Sequence, residues 1–299
     1  MAAQPHNSAP ITIIGAGSWG TALAIQFARV GRPVKLWGRD PIQLKEMQSA
    51  RSNARYLPGI VFPELLHIDQ DLSVALCDST DVLVAAPSHA FRKLLLQLKP
   101  FAPSALRLAW ATKGFELDSG KLPHQVVADV FGAQMPMAVL SGPTFAKEVG
   151  AGLPTAMTVA SSDTTFAMEL AKSISDSRFR AYTSNDLTGV EVGGAVKNVL
   201  AIGTGMSDGL GFGANTRIAL ITRGLVEMTR LGVALGAQKE TFMGLAGLGD
   251  LVLTCTDNQS RNRRFGLAFA AGTDTTLAQK EIGQVVEGYS ASRAVMTVA

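Results

Sequence analysis

The feature that most constrains this chain is an apolar run that is followed at once by a cluster of glycines. The run is Ile11-Thr12-Ile13-Ile14, and the cluster is Gly15-Ala16-Gly17-Ser18-Trp19-Gly20, which fits the pattern G-x-G-x-x-G. In that pattern the first glycine permits a tight turn, the second lets a pyrophosphate approach the backbone, and the third lets a helix pack closely on the strand. Free N–H groups at the start of the helix then face the anion. A purely structural turn is the alternative, but a strand before and a helix after the glycines favour dinucleotide binding.

The first half of the chain alternates short apolar runs with helical stretches. Residues 21–30 predict a helix with Leu23, Phe27 and Val30 on one face. Strands as apolar as those around it are typical of a parallel sheet covered by helices on both sides. The predicted strands are residues 11–14, 34–37, 81–86, 106–110 and 137–140.

The pattern changes after about Ser184, where strand signals fade and long helical periodicities begin. Residues 186–206 predict one long helix and residues 217–235 another, on which Arg223 and Glu227 are spaced to pair weakly. We therefore expect a dinucleotide-binding domain over residues 1–184 and an all-α substrate domain over residues 185–299. The apolar face of the second helix is predicted to contain Ile218, Ile221, Leu225, Met228 and Leu231.

The end of the second predicted strand bears on the choice of cofactor. Gly38-Arg39-Asp40 lies about 20 residues past the glycine turn, where an acid would hold the adenosine ribose 2′-hydroxyl. Arg39 could instead pair with a 2′-phosphate through its planar guanidinium. Both residues could also form a solvated surface pair. The presence of the arginine favours NADP(H), with NAD(H) tolerated.

The predicted helix 186–206 carries many glycines and one lysine. Gly189, Gly193 and Lys197 are four residues apart and share a face. Glycine inside a helix costs about 1 kcal/mol relative to alanine, so these glycines indicate the close approach of another backbone or a ligand. Burial there would lower the pKa of Lys197, which could then act as a base towards an alcohol or, when protonated, as an acid towards a ketone. A lysine that extends along a domain interface to reach water is the alternative.

A second group of polar residues predicts an anion site. Asp250 ends a predicted tight turn, and Ser260 is a plausible N-cap for a helix whose first turn holds Arg261 and Asn262. An arginine beside free helix N–H groups suits a phosphate, although a solvated basic patch is the alternative. Lys113 and the turn at residues 141–144 each follow a predicted strand, which is where ligands bind in open parallel sheets.

Composition excludes several other classes of protein. The net charge of +3 and the lack of a basic stripe argue against a nucleic-acid partner. No apolar run approaches the length of a membrane span, so we expect no membrane insertion. The four histidines are scattered and no metal is expected. Two distant cysteines, Cys77 and Cys255, do not suggest a disulfide framework, and we expect a cytoplasmic protein.

Several blocks together resemble one known family. They are residues 14–23, Trp110-Ala111-Thr112-Lys113-Gly114, Ser141-Gly142-Pro143-Thr144-Phe145-Ala146, Gly194-Ala195-Val196-Lys197-Asn198, and residues 247–250 with 258–264. In this order they resemble the bacterial NAD(P)-dependent glycerol-3-phosphate dehydrogenases, from residue 11 to Val285-Val286-Glu287-Gly288. The resemblance implies a Rossmann-like, doubly wound parallel sheet followed by a helical substrate domain. It also implies reduction of dihydroxyacetone phosphate to sn-glycerol 3-phosphate for glycerophospholipid synthesis, and we expect a homodimer.

The resemblance also implies roles for individual residues. Lys197 would be the proton donor or acceptor at the substrate oxygen, and Lys113 would contact both substrate and cofactor. The substrate would be held by Gly142, Thr144, Asp250, Ser260, Arg261 and Asn262, the last two chiefly through its phosphate. Beside Gly15, Gly17 and Gly20, the cofactor would be lined by Ser18, Trp19, Arg39, Ala146, Arg261, Val285 and Glu287.

Two other functions stay open at this point. A 3-hydroxyacid or phosphogluconate-type dehydrogenase also places a lysine on a helix of an all-α second domain. A dinucleotide-binding protein without catalytic activity would need the glycine turn but not Lys113, Lys197 or Asp250. Members of the family carry a further helical segment after the Val-Glu-Gly stretch, so we expect that the C-terminus is truncated.

Overall fold

The computed structural model describes residues 9–283 and 285–298. Its first half is built around one sheet, and the strands run mostly where apolar residues cluster. The strands of this sheet are β1 (Ile11–Ile14), β2 (Val34–Trp37), β5 (Leu66–Asp69), β6 (Asp81–Val84), β7 (Arg107–Trp110), β8 (Met137–Ser141), β9 (Thr155–Ala160) and β10 (Phe179–Ser184), and a separate hairpin contains β3 (Ser52–Asn53) and β4 (Leu57–Val61). The order in the eight-stranded sheet is β10-β9-β8-β7-β6-β1-β2-β5.

Every neighbouring pair in the sheet is parallel except β8 and β9, which are antiparallel. The five strands expected from the sequence are present, and the Rossmann-like fold is confirmed. The expected parallel sheet was incomplete, because β5, β9 and β10 were not predicted and β9 runs antiparallel to β8. These strands mix polar with apolar residues, and β5 and β10 are the edges of the sheet, where one side of a strand lacks a partner.

Helices cover both faces of the sheet and form the rest of the chain. In the described residues no strand follows Ser184. The helices are α1 (Ser18–Arg29), α2 (Pro41–Ala50), α3 (Leu72–Leu76), α4 (Ser88–Leu98), α5 (Pro123–Phe131), α6 (Ala146–Ala151), α7 (Thr164–Ile174), α8 (Leu187–Gly209), α9 (Gly213–Ala234), α10 (Asp250–Thr256), α11 (Arg261–Ala270), α12 (Thr275–Ile282) and α13 (Glu287–Val298), with 3-10 turns at Lys99–Phe101 and Lys239–Met243 and a π-helical turn at Leu245–Gly249.

The middle of the sheet is apolar on both sides because alternate residues of the inner strands enter different cores. On one side Ile11 and Ile13 pack with Phe27 of α1, and on the other side Ile14 packs in the core that contains Phe91 of α4. A third core, formed around Phe242, joins the helices of the second half. Burial of both faces explains why the inner strands read as nearly continuous apolar runs.

Helix α8 is the centre of the second half and packs against α9, α10, α11 and α13. Its glycines permit this: a Cβ on Gly193 would lie 2.5 Å from the carbonyl oxygen of Ala246, and one on Gly205 would lie 2.1 Å from that of Arg263. The close approach expected from the glycine spacing is therefore an approach of neighbouring backbones.

The face predicted for α9 is partly wrong. Ile221 and Met228 are buried, but Ile218 is 56% exposed. Arg223 and Glu227 form the expected pair, with 3.6 Å between Nε and Oε1, on the exposed side. None of the helices in the described residues combines the length and apolar character needed to cross a bilayer.

Candidate active site

The glycine turn lies where the order of the strands reverses, between β1 and β6. Gly15 has φ +124°, and a Cβ on it would lie 2.4 Å from the carbonyl oxygen of Ala85 at the end of β6. A Cβ on Gly20 would lie 1.9 Å from the carbonyl oxygen of Gly15, whereas nothing lies within 4 Å of one on Gly17. The first glycine therefore makes the turn, the third allows close packing of α1, and the second leaves open space in front of the helix.

The start of α1 fits an anionic dinucleotide. Gly17 is its N-cap and provides no side-chain acceptor, so the first N–H groups of the helix are available to a ligand. The indole Nε1 of Trp19 is buried and has no hydrogen-bond partner among the described residues. A buried donor without an acceptor costs about 1–3 kcal/mol, which an acceptor on a bound molecule would offset.

Arg39 and Asp40, which follow β2 and bear on the choice of cofactor, differ in their interactions. Asp40 is the N-cap of α2, and its Oδ1 accepts hydrogen bonds from the backbone N–H groups of Ile42 and Gln43 at 3.1 and 3.2 Å. Arg39 is exposed and forms no ion pair within the described ranges. The carboxylate is thus already engaged, while the guanidinium is available to a phosphate.

Three charged side chains meet where the two halves of the chain adjoin. The Nζ of Lys197 lies 2.5 Å from Oδ1 of Asp250 and 3.0 Å from Oγ1 of Thr254, and the Nζ of Lys113 lies 2.8 Å from Oδ2 of Asp250. Lys197 is 6% exposed and Asp250 1% exposed. The carboxylate therefore holds both lysines at fixed positions, one on each oxygen.

Burial and neighbouring charges shift the pKa values of Lys197 and Asp250 from their ordinary values. Burial lowers the pKa of Lys197 to about 8, against the attraction of Asp250 and with the repulsion of Lys113. Burial alone would raise the pKa of Asp250, but the two ammonium groups hold it below its usual range. A lysine in this state can exchange a proton near neutral pH beside a carboxylate that stays charged.

The packing of three elements brings these side chains together. Lys113 follows β7, and Lys197 lies in the middle of α8. The tight turn predicted to end at Asp250 is a π-helical turn instead, and Asp250 is the first residue of α10. The turn packs where Gly193 lacks a side chain, which brings Asp250 onto the same side of α8 as Lys197.

The predicted anion site forms at the start of α11. Ser260 is the N-cap, since its Oγ accepts a hydrogen bond of 3.2 Å from the N–H of Arg263. Arg261 in the first turn is half-buried and lines the cleft, whereas Arg263 points away and pairs with Asp208 at 2.6 Å. The Oδ1 of Asn262 accepts from the backbone N–H of Gly288 at 3.0 Å. One of three clustered arginines is therefore structural.

A cleft of about 340 Å³ contains most of the residues singled out in the sequence. Gly142 is not part of the lining; it is buried, has φ +151°, and its carbonyl oxygen accepts from Oγ1 of Thr144 at 3.2 Å. The three glycines of the turn, Arg39 and the 44%-exposed Val285 are outside the lining as well. The residues in question that line the cleft are Ser18, Trp19, Lys113, Thr144, Ala146, Lys197, Asp250, Ser260, Arg261, Asn262 and Glu287.

Several lining residues were not among the predicted site residues. Asn198 donates to Glu287 at 3.2 Å, and its place beside Lys197 on α8 was the signal that could have found it. Thr254 lies one turn after Asp250 on α10, a spacing that places both on one face. The others are Tyr56, Leu57, Pro58, Ala111, Phe145, Lys147, Gln259 and Arg264.

The cleft is positively charged overall. Its lining carries more cations than anions, so it suits ligands that carry several phosphate groups. The cations are Lys113, Lys147, Lys197, Arg261 and Arg264, and the anions are Asp250 and Glu287.

Family models match both halves of the chain. The model of the NAD-dependent glycerol-3-phosphate dehydrogenase N-terminus matches residues 10–167, and that of the C-terminus matches residues 186–299.

Relatives and solved structures agree with this match. A glycerol-3-phosphate dehydrogenase (NAD(P)+) of Shewanella baltica (strain OS185) is 58% identical over 294 residues, which cover 98% of this chain and 87% of the relative. One of Haemophilus influenzae (strain PittEE) is 56% identical over 284 residues, covering 95% and 85%. The crystal structure of glycerol-3-phosphate dehydrogenase from Coxiella burnetii aligns with a TM-score of 0.95 at 51% identity, covering 98% of this chain and 89% of that one.

Proposed function

This chain belongs to the NAD-dependent glycerol-3-phosphate dehydrogenase family, and we propose that it reduces dihydroxyacetone phosphate to sn-glycerol 3-phosphate with a nicotinamide cofactor. The observation that carries the proposal is the buried cluster of Lys197, Asp250 and Lys113, which lies in one cleft with the start of α1 and the start of α11. The cleft thus joins a dinucleotide turn, a proton-exchanging lysine and an anion site. The reaction is reversible, and its product supplies glycerophospholipid synthesis.

Lys197 is the residue that exchanges a proton with the substrate oxygen. The chemistry supplied by a bound NADPH is hydride transfer to the carbonyl carbon. Protonated Lys197 gives a proton to the carbonyl oxygen, which becomes the hydroxyl, and in the reverse direction the neutral amine takes it back. Asp250 orients the ammonium through its Oδ1, and Lys113, held by Oδ2, adds positive charge where the oxygen becomes negative.

The substrate phosphate is held at the start of α11. The Arg261 side chain and the N-terminal end of α11 form the anion site, and Asn262 lies beside them. Thr144 borders the same space from the sheet side, and its Oγ1 donates to the carbonyl oxygen of Gly142, which is outside the lining. Holding the phosphate positions the carbonyl carbon for the nicotinamide, and such positioning lowers the barrier of a two-substrate step.

The cofactor is NADP(H) by preference, and NAD(H) is tolerated. Exposed Arg39 and the engaged carboxylate of Asp40 support this preference, because a free acid at this position would repel a 2′-phosphate. The relatives from Shewanella and Haemophilus carry NAD(P)+ in their names. Ser18, Trp19, Ala146 and Glu287, which line the cleft, contact the rest of the cofactor, and exposed Val285, two residues before Glu287, adjoins it from outside the lining.

We divide the chain into a dinucleotide-binding domain of residues 1–184 and a substrate domain of residues 185–299. The division is supported by the end of β10 at Ser184 and the start of α8 at Leu187.

We also propose a homodimer that acts in the cytoplasm. An exposed apolar stripe on α9, with Ile218, Val226 and Val233, supports the dimer, and the free thiols of Cys77 and Cys255 suit a reducing compartment. Light scattering of the purified chain and of Ile218→Asp tests the dimer, and fractionation of cells tests the compartment. A monomeric wild-type chain would contradict the first statement.

The direct test measures the NADPH consumed or formed with three kinds of substrate. Dihydroxyacetone phosphate should be reduced, whereas dihydroxyacetone, which lacks the phosphate, should react at least about a hundredfold less efficiently because it offers the anion site no charged group to bind. A 3-hydroxyacid assayed with NADP⁺ should not be oxidised. Turnover of the hydroxyacid alone would favour the phosphogluconate-type reaction, and NADPH binding without any turnover would favour a binding protein.

A further inference from the structure

The hairpin of β3 and β4 places an arginine beside the cofactor-selecting end of β2. The hairpin is fixed by Asn53, which is fully buried and donates from Nδ2 to the carbonyl oxygen of Ala16 at 3.1 Å and to Oγ1 of Thr21 at 2.8 Å. The Oδ1 of Asn53 accepts from the N–H of Tyr56 at 3.2 Å. The hairpin is therefore attached directly to the glycine turn, and Arg55 lies at its tip.

Arg55 forms two weak contacts there. Its Nη1 lies 3.4 Å from Oδ2 of Asp40, and both side chains are well exposed, at 60% and 40%. Its guanidinium carbon lies 5.1 Å from the centre of the Tyr56 ring, which lines the cleft. A long, exposed ion pair contributes little to stability, so Arg55 can leave Asp40 at small cost.

The charges around Asp40 are unequal. The single carboxylate of Asp40 already accepts hydrogen bonds from Ile42 and Gln43 at its Oδ1. Two arginines adjoin it: Arg55, on the hairpin, and Arg39, at the end of the strand. In folds of this type the ribose 2′ position of the adenosine half lies at this strand end. Two arginines and a partly neutralised acid are matched to a 2′-phosphate and not to a 2′-hydroxyl.

We propose that Arg55 is a specificity-determining residue that recognises the 2′-phosphate of the cofactor together with Arg39, exchanging the carboxylate of Asp40 for the phosphate. The proposal rests on the NADP(H) preference proposed above. Tyr56 keeps the guanidinium at the margin of the cleft by stacking, so little side-chain freedom is lost when the phosphate arrives. Asp40 then has two roles. Its Oδ1 caps α2, and its Oδ2 pairs with Arg55 until the phosphate binds.

The test measures binding and needs no turnover. Calorimetric titration compares adenosine 2′,5′-bisphosphate with adenosine 5′-monophosphate, which differ only in the 2′-phosphate. For Arg55→Ala, the affinity for the bisphosphate should fall about tenfold or more, with little change for the monophosphate. For Asp40→Asn, which keeps an acceptor oxygen for the cap but loses the charge, the affinity for the bisphosphate should rise by about two- to fivefold.

A matched control is Arg230→Ala. Arg230 also forms an exposed pair with a carboxylate, with 3.1 Å to Oε1 of Glu227, and lies on α9 away from Asp40. Its removal lowers the net charge equally and should leave both affinities unchanged. Equal losses for the two nucleotides in Arg55→Ala, or no loss in either, would overturn the proposal, as would weaker bisphosphate binding in Asp40→Asn. Because both probes lack nicotinamide and substrate, a failure here is separate from a failure to reduce dihydroxyacetone phosphate.

Discussion

The glycine turn after β1 and the lysine cluster between α8 and α10 lie in one cleft, but they recognise their ligands by different means. The turn offers backbone N–H groups and empty space, and its glycines are within six consecutive residues. The cluster offers buried charges from residues that are 53 and 137 positions apart in the chain. The first site depends on local geometry, and the second depends on the packing of the whole molecule.

The difference has a consequence for how each site responds to mutation. A backbone site fails when a side chain is added, because atoms then overlap. A charge cluster fails when a side chain is removed, because the remaining charges are left buried without their partner. Substitutions at the two sites should therefore separate cofactor binding from proton transfer.

The largest effect is expected for Lys197→Met, which removes the proton donor while keeping most of the volume. We expect kcat for dihydroxyacetone phosphate reduction to fall about 10³-fold, because general acid catalysis contributes about 10²–10⁴-fold. The affinity for NADPH, measured by fluorescence titration, should change less than about threefold.

Lys172→Ala is the control for that experiment, since Lys172 is an exposed lysine near the end of α7. It should keep full activity. Near-normal turnover in Lys197→Met would show that another group carries the proton, whereas joint loss of turnover and NADPH binding would show a wider structural effect.

The glycine turn is tested by a pair of glycine-to-alanine substitutions. In Gly20→Ala the new Cβ would lie 1.9 Å from the carbonyl oxygen of Gly15, so α1 must move from the sheet, and we expect about 3 kcal/mol lower free energy of unfolding. In Gly17→Ala the new Cβ meets open space, so stability should change by less than about 0.5 kcal/mol while NADPH binding weakens about tenfold or more. Urea unfolding and fluorescence titration measure the two quantities, and equal stability losses in both variants would contradict the assigned roles.

The two sites were not equally predictable from the sequence. The roles of Gly15, Gly17 and Gly20 follow from a strand, a turn and a helix that are adjacent in the chain, and the structure has them as expected. Lys197 was singled out by the glycines on its helix. Its contact with Asp250 was not derivable from spacing, because it depends on how the π-helical turn packs on α8.

The arginines of α11 and the strands β9 and β10 also could not be assigned from local sequence alone. Ser260 predicted where the helix starts, but only packing decides that Arg261 faces the cleft and Arg263 faces Asp208. The strands β9 and β10 lack strong apolar runs and owe their place to neighbours in the sheet.

The protonation state of the cluster predicts opposite pH profiles for the two directions. Burial lowers the pKa of Lys197 to about 8, so the protonated form needed for reduction is lost as pH rises through that value. The kcat/KM for reduction should fall about tenfold per pH unit above it, and that for oxidation should rise with pH up to it.

Asp250→Asn sharpens this prediction, because loss of the carboxylate removes the attraction that opposes the shift. The falling limb for reduction should then move to lower pH by about one unit or more. The measurement is kcat/KM as a function of pH, with saturating NADPH for reduction and saturating NADP⁺ for oxidation. If the falling limb for reduction has the same midpoint in Asp250→Asn as in the wild type, Lys197 does not produce it.

The smallest effect is expected for Thr254→Val, which keeps the shape of the side chain but removes the oxygen that lies 3.0 Å from the Nζ of Lys197. Because that hydrogen bond favours the charged amine, its loss should lower kcat for reduction about three- to tenfold, with NADPH affinity unchanged. Thr256→Val is the matched control. Both threonines donate from Oγ1 to the carbonyl four residues earlier, Thr254 at 2.6 Å and Thr256 at 2.8 Å, but Thr256 is exposed. Equal loss of kcat in both variants would mean that the helix, and not the contact with Lys197, is responsible.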